Sequence, residues 1–345
     1  MRHFLIVISL LAVFFSCKTD FDVNAPYDKV PIIYGVLDQS VDTQFIKINK
    51  TFLGSNNLAY PAVNDSMYFD KVEVKVEELD ESENVLRVFS LQSKFVPVAP
   101  GSGIFFTGQQ RVYYFVPTSP LDENRDYRII GNGDGREFSA TTDIINSFGF
   151  ANNFRIKTLA PGGVSLFNNG VYPDIKPIWI QSPDAESYDA VMRFHYTEYR
   201  NGNIENQQID WKLGSAKPTS FGDLNIASNA ESFFAFLANS DQLKDTNGVT
   251  KRTIDSVDFR VTSANFILKT YIDVNKPNSG ITFDKPDYTN IEGGRGVFAS
   301  RFTTEITGRL LSEKTVEHLF NSSYTSSFKF CSSNPAWGSE AYFCP

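Results

Sequence analysis

Lys71-Val72-Glu73-Val74-Lys75-Val76-Glu77 places three valines on one parity and four charged residues on the other. Successive side chains of a strand point to opposite faces, so this stretch predicts a strand with one oily and one charged side. Val85-Leu86-Arg87-Val88-Phe89 follows it, and Asp80 to Asn84 supplies the turn of a hairpin. Upstream, Ile32, Ile33, Tyr34, Val36 and Leu37 form a strand-like run. Phe45, Ile46 and Ile48 then alternate with Gln44, Lys47 and Asn49. Downstream, strands are predicted at Val112 to Val116 and at Tyr127 to Ile130. Gly131-Asn132-Gly133-Asp134-Gly135 reads as a turn, and Glu137 to Thr142 runs back from it. Many short strands about ten residues apart are the pattern of a sandwich. The expectation is an immunoglobulin-like β-sandwich over residues 30–143.

Residues 144–330 read as a second mixed, mostly β domain with two short helices. The boundary near 144 is drawn before the loosening at Pro161-Gly162-Gly163 and Asn168-Asn169-Gly170. Ile178-Trp179-Ile180 opens the strands. Val191, Arg193, His195 and Thr197 then alternate with Met192, Phe194, Tyr196 and Glu198, and Asn201-Gly202-Asn203 turns the chain into Gln208 to Leu213. Ser228 and Glu231 have capping-box spacing ahead of Phe233, Phe234 and Leu237, which predicts a helix ended by Asn239 to Asp245. A long strand is expected from Val257 to Val274, another from Val297 to Phe302, and a second helix over Glu313 to Phe320.

The two ends carry different chemistry. Arg2 and His3 precede an apolar run from Phe4 to Phe15, too short to span a bilayer, which needs roughly 20 apolar residues. Residues 1–16 therefore read as a signal peptide. Ser16 followed by Cys17 has the small-residue-then-cysteine pattern of a lipobox, and acylation with two or more chains would anchor the chain stably. A free or buried cysteine after an ordinary signal cut is the alternative. Residues 17–29 form the tether, beginning Lys18-Thr19-Asp20-Phe21-Asp22. Cys331 and Cys344 bracket most of the tail, 331–345, and in an exported chain they read as a disulfide, with two reduced thiols as the alternative.

Formal net charge is −8, and removing the positive charge of Arg2 takes it to −9. That balance argues against nucleic acid and anionic lipid as partners, since both repel an acidic surface. No cofactor or metal is indicated. His195 and His318 sit in unrelated contexts without the spacing of a zinc pair. Glu77, Glu78, Asp80, Glu81 and Glu83 form the densest acidic run, read as a solvated hairpin tip, with a divalent-ion site as the sharper alternative. Gly293-Gly294-Arg295-Gly296 lacks the Lys-Ser/Thr of a phosphate loop and reads as a tight turn requiring positive φ and close backbone approach. The chain holds 31 Phe and 15 Tyr, more than core filling alone asks for. The region of Phe52, Tyr60 and Tyr68, with its long loop from Gly54 to Ser66, reads as a passive loop or as a partner-contacting one.

Several stretches together resemble a lipoprotein family of the Bacteroidota catalogued as a domain of unknown function. They are the tether after Cys17, Val30-Pro31-Ile32-Ile33-Tyr34-Gly35-Val36-Leu37, Ile46-Lys47-Ile48-Asn49-Lys50-Thr51-Phe52-Leu53-Gly54, and Asn290-Ile291-Glu292-Gly293-Gly294-Arg295-Gly296-Val297-Phe298. In those bacteria an acidic stretch like Lys18 to Asp22 marks lipoproteins for the outer face of the outer membrane. The resemblance implies a surface-exposed outer-membrane lipoprotein that serves as a non-catalytic accessory of an outer-membrane β-barrel, a transporter or assembly machine. It carries no catalytic residue across. The alternative is a glycan-binding or carbohydrate-active surface lipoprotein, in which Trp179, Trp211 or Trp337 would line a cleft beside two carboxylates.

Overall fold

The computed structural model describes residues 28–51, 67–97, 109–159, 162–220, 222–276, 287–332 and 343–344. The N-terminal half supplies β1 (Pro31–Asp38), β2 (Gln44–Lys50), β3 (Val72–Leu79), β4 (Val85–Ser90), β5 (Gln92–Pro97), β6 (Gln109–Phe115), β7 (Asp126–Gly133) and β8 (Arg136–Asp143). Helix α1 (Asn152–Leu159) and the two-residue strands β9 (Asp174–Ile175) and β10 (Ile178–Trp179) lead to a long hairpin of β11 (Ser187–Arg200) and β12 (Asn203–Ala216). After β13 (Leu224–Asn225) and β14 (Ser228–Asn229) come α2 (Glu231–Ala238), α3 (Asp241–Lys244), β15 (Val249–Ala264), α4 (Phe266–Asn275), β16 (Arg295–Arg309) and α5 (Glu313–Asn321). The fold is mainly β, with no described helix long and apolar enough to cross a membrane.

Two sheet regions organise these strands. One has eight strands in the order β12-β11-β15-β16-β1-β2-β6-β5, the other four in the order β4-β3-β7-β8. Every pairing in the large sheet is antiparallel except β1 with β16, where Tyr34 lies opposite Val297 in parallel register. Four strands from before residue 144 and four from after it thus share one sheet. The hydrophobic clusters divide differently. Ile33, Leu37, Ile46 and Phe298 of the large sheet pack with Val76, Tyr127, Ile129 and Phe138 of the small one. Apart from Ile291 and Phe298, that cluster draws only on residues 33–144. A second cluster, built on Trp179, Tyr188, Phe194, Phe233, Phe259 and Phe330, draws only on residues 145–330.

The hairpin of β3 and β4 forms where the alternation placed it, with Val76 opposite Phe89. Its tip differs from expectation. Glu77 and Glu78 are 3% and 5% exposed, because Glu77 meets Lys75 and Arg128 while Glu78 meets Arg87 and the hydroxyl of buried Tyr127. The loop itself is tied by Asp80, whose carboxylate accepts from the backbone of Ser82 and Asn84 at 2.9 Å each. The turn expected over 131–135 is shorter. Gly131 continues β7, paired with Phe138 of β8 whose ring fills the space a Cβ would take, and only Asp134 and Gly135 turn, at φ 50° and 87°.

Three further departures fall in the second half. The strand expected to run from Val257 to Val274 stops at Ala264, and α4 replaces its end. Buried Asn265 accepts at 3.0 Å from the Leu268 amide, which caps a helix and ends a strand. Ser228 does not cap α2; its hydroxyl donates to the Leu213 carbonyl, and the Asn229 side chain accepts the Glu231 amide instead. Five α-helices, not two, occur among the described residues, with a 3-10 turn at Ser326–Phe328 besides, and the expected helix from Glu313 is present and is capped by Ser312.

Candidate functional site

The strand alternation that buries Ile33, Ile46 and Tyr113 turns Tyr34, Phe45 and Tyr114 to the opposite side of the large sheet. Tyr34 and Phe45 are 42% and 46% exposed. Phe45 and Tyr114 lie 6.2 Å apart between ring centres, and the Lys94 ammonium of β5 sits 4.7 Å from each ring. A cation shared by two aromatic faces is held by their negative quadrupoles. Tyr114 extends the row by donating to Gln92 at 2.9 Å.

Helix α4 lies against β16 and bounds this aromatic face. A surface helix normally hides one apolar stripe. No residue of α4 is buried, and Phe266 and Ile272 are 65% and 41% exposed. Tyr271 approaches Tyr34 edge-on at 6.2 Å. Burial, with the hydrogen bond and proximity of Tyr34, pushes its phenol up to about 12. On the helix's charged side, hydrogen bonds from Lys269 and Lys276 hold the Asp273 carboxyl down to about 2. Between α4 and the strands lies a groove of about 760 Å³, floored by Val36 and Val297 and closed at one end by the Arg301–Asp38 ion pair at 2.8 Å. Gln44 fixes that end: its side chain accepts from the Asp38 amide and donates to the Asp38 and Val41 carbonyls. Exposed large apolar side chains thus gather at this groove beside a charged rim.

The residues singled out in the sequence do not gather here. His195 pairs with Asp258 at 2.7 Å on the outer side of β11, and the other Asp258 oxygen accepts the Gly308 amide. His318 stacks on Phe167 at 3.6 Å and shares a 2.8 Å hydrogen bond with the Tyr172 hydroxyl; burial holds its imidazole below the usual value. Trp179 and Trp211 are core residues, 0% and 5% exposed, and present no stacking platform. The expected glycine turn is shorter: Gly293 and Gly294 turn, with Gly293 at φ 69° and its Cβ position against the Glu137 carbonyl oxygen, while Arg295 and Gly296 already belong to β16, where Gly296 at φ 109° would set a Cβ against the Ile33 carbonyl oxygen. Cys331 and Cys344 are joined as a disulfide. Cys17, Lys18 to Asp22, Trp337 and the stretch from Phe52 through Ser66 lie outside the described residues. Tyr68, of the same aromatic region, is buried and accepts the Arg111 amide.

No His, Cys, Asp and Glu grouping able to hold a metal occurs among the described residues. Sequence reasoning missed the contributions of β5 and α4 altogether. The one legible signal was Asn265, a helix-capping residue type ahead of Phe266-Ile267-Leu268. No protein-family model and no curated protein matches the chain.

Proposed function

We propose that this chain is a lipid-anchored accessory protein of the outer membrane that docks, without catalysis, on the exposed part of a β-barrel through the face of Tyr34, Phe45, Tyr114 and α4. The observation that carries the proposal is α4: an ordered helix with no buried residue and two exposed large apolar side chains, beside a row of exposed aromatics. The anchor expected at Cys17 adds geometry. Thirteen residues lie between it and Pro31, and fourteen residue steps at ~3.3–3.6 Å each reach at most about 50 Å. The face begins on the first strand after that tether, so acylation keeps it within reach of a barrel's rim. Architecturally, we propose that residues 30–143 are an immunoglobulin-like sandwich and 144–330 a second β-rich domain, each centred on its own hydrophobic cluster.

Photo-crosslinking in native envelopes tests the docking. With benzoylphenylalanine at position 45 or 272 of the acylated full chain, the expected product is an adduct with a heat-modifiable barrel protein. Position 204, where Ile204 is 66% exposed on β12 away from the face, serves as the control. Equal adducts from all three positions, or none from 45 and 272, would overturn the assignment.

A further inference from the structure

A second cavity, of about 500 Å³, opens between α1, β9 and β15, on the other hydrophobic cluster and away from the aromatic face. Its size is that of a small-molecule site. The floor is apolar: Phe154 is 5% exposed, stacks on Phe150 at 5.5 Å and meets Phe259 edge-on at 5.1 Å, and buried Val164 and Ile175 complete it. Lys157 and Lys176 line the same cavity from its exposed side. Neither has an acidic partner among the described residues, where twenty other ion pairs form. The last turn of a helix accounts for Lys157 by itself, because a cation there complements the helix dipole. Lys176 has no such explanation. The only carboxylate in the lining, Asp174, accepts from the Asn229 amide. In a chain of net charge −8, a cavity with more cations than anions runs against the background.

We propose that this cavity binds a small amphipathic anion, a free aliphatic carboxylate, with its hydrocarbon on the Phe154 and Phe259 floor and its headgroup at Lys157 and Lys176. The hydrocarbon supplies burial, and the two lysines select charge, since neither ammonium gives up an existing ion pair to meet the headgroup.

Calorimetric titration of the purified full chain with decanoate tests this. Saturable binding is expected, with decanol binding at least tenfold more weakly. K157Q/K176Q, both exposed positions, is expected to lose roughly tenfold in decanoate affinity, the effect of two exposed ion pairs lost together, while leaving decanol unchanged. The variant's unfolding curve without ligand shows that it is folded. Equal affinity for decanol, an unaffected double variant, or no saturable decanoate binding would each overturn the proposal. So would lysine-dependent binding of phosphatidylglycerol vesicles without decanoate binding, which would assign the cations to a membrane surface instead.

Discussion

Arg252 is fully buried, and its guanidinium is spent completely on the interior. It pairs with Glu198 at 2.7 Å and donates to the carbonyls of Leu243, Phe328 and Asp245. Arg252→Ala leaves Glu198 with Arg200 as its remaining partner but strips the buried Leu243 and Phe328 carbonyls of a donor, at about 1–3 kcal/mol each, so it should cost about 3–5 kcal/mol, read as a lower urea midpoint at unchanged slope. Acid acts on the same site. Burial alone would raise the Glu198 carboxyl, but hydrogen bonds from Arg200 and Arg252 outweigh it and the group ends below its ordinary value; Glu77 behaves likewise with Lys75 and Arg128. A depressed carboxyl stabilises the fold above its unfolded pKa, and that stability is lost as pH falls through the folded value. Stability should therefore decline below about pH 4.3, the unfolded glutamate value. Glu198→Gln should show a shallower decline in denaturation curves taken across pH. None of this was legible in the sequence. The acidic run from Glu77 reads as a solvated tip, because the arginines that receive it become neighbours only once register is fixed, with Glu78 opposite Arg87 and Glu77 opposite Arg128.

At the scale of elements, what alternates was readable and what caps was not. Strand β11 matched its pattern because Met192, Phe194 and Tyr196 are all fully buried on one parity. Helix α4 was missed because Phe266, Ile267, Tyr271, Ile272 and Val274 are strand-favouring types, and propensity yields to tertiary context. The context is Asn265, which accepts the Leu268 amide and donates at 3.0 Å to the Thr142 hydroxyl and at 2.7 Å to Asp143. One side chain thus starts the helix and ties it to the end of β8. Asn265→Ala loses a cap, worth ~1 kcal/mol. It also removes the bonds that the Thr142 hydroxyl and the Asp143 carboxylate accept from it, at about 1–3 kcal/mol. The expected outcome is a loss of about 2–4 kcal/mol, with the amides of α4 exchanging with deuterium faster than those of β11. If α4 is also the docking element, the same variant should lose the crosslink from position 272.

The whole molecule turns on one parallel pairing. A chain that returns after more than 250 residues to lay β16 beside β1 gives the first hydrophobic cluster two of its members, Phe298 and Ile291, and joins the four N-terminal strands to the four C-terminal ones. Local alternation found both strands and could not pair them, since parallel partners need a crossover whose length the pattern does not encode. The tightest point of the pairing is Gly296, at φ 109° with its Cα facing Ile33, where a Cβ would stand 1.9 Å from the Ile33 carbonyl oxygen. Gly296→Ala has to move one strand or the other, so it should destabilise by about 3 kcal/mol or more. The pairing also bears on where the chain divides. A fragment ending at Asp143 keeps most of the first cluster but leaves β1 as an open edge and Gly35 without the Phe298 ring beside it. Such an edge recruits other chains. The fragment alone should show no cooperative unfolding transition and should self-associate on sizing. Appending residues 287–309 through a flexible linker should restore both a monomer and a transition, because the borrowed strand covers that edge. A cooperative, monomeric fragment without the appended strand would mean that the N-terminal module is complete in itself and that β16 merely lies against it.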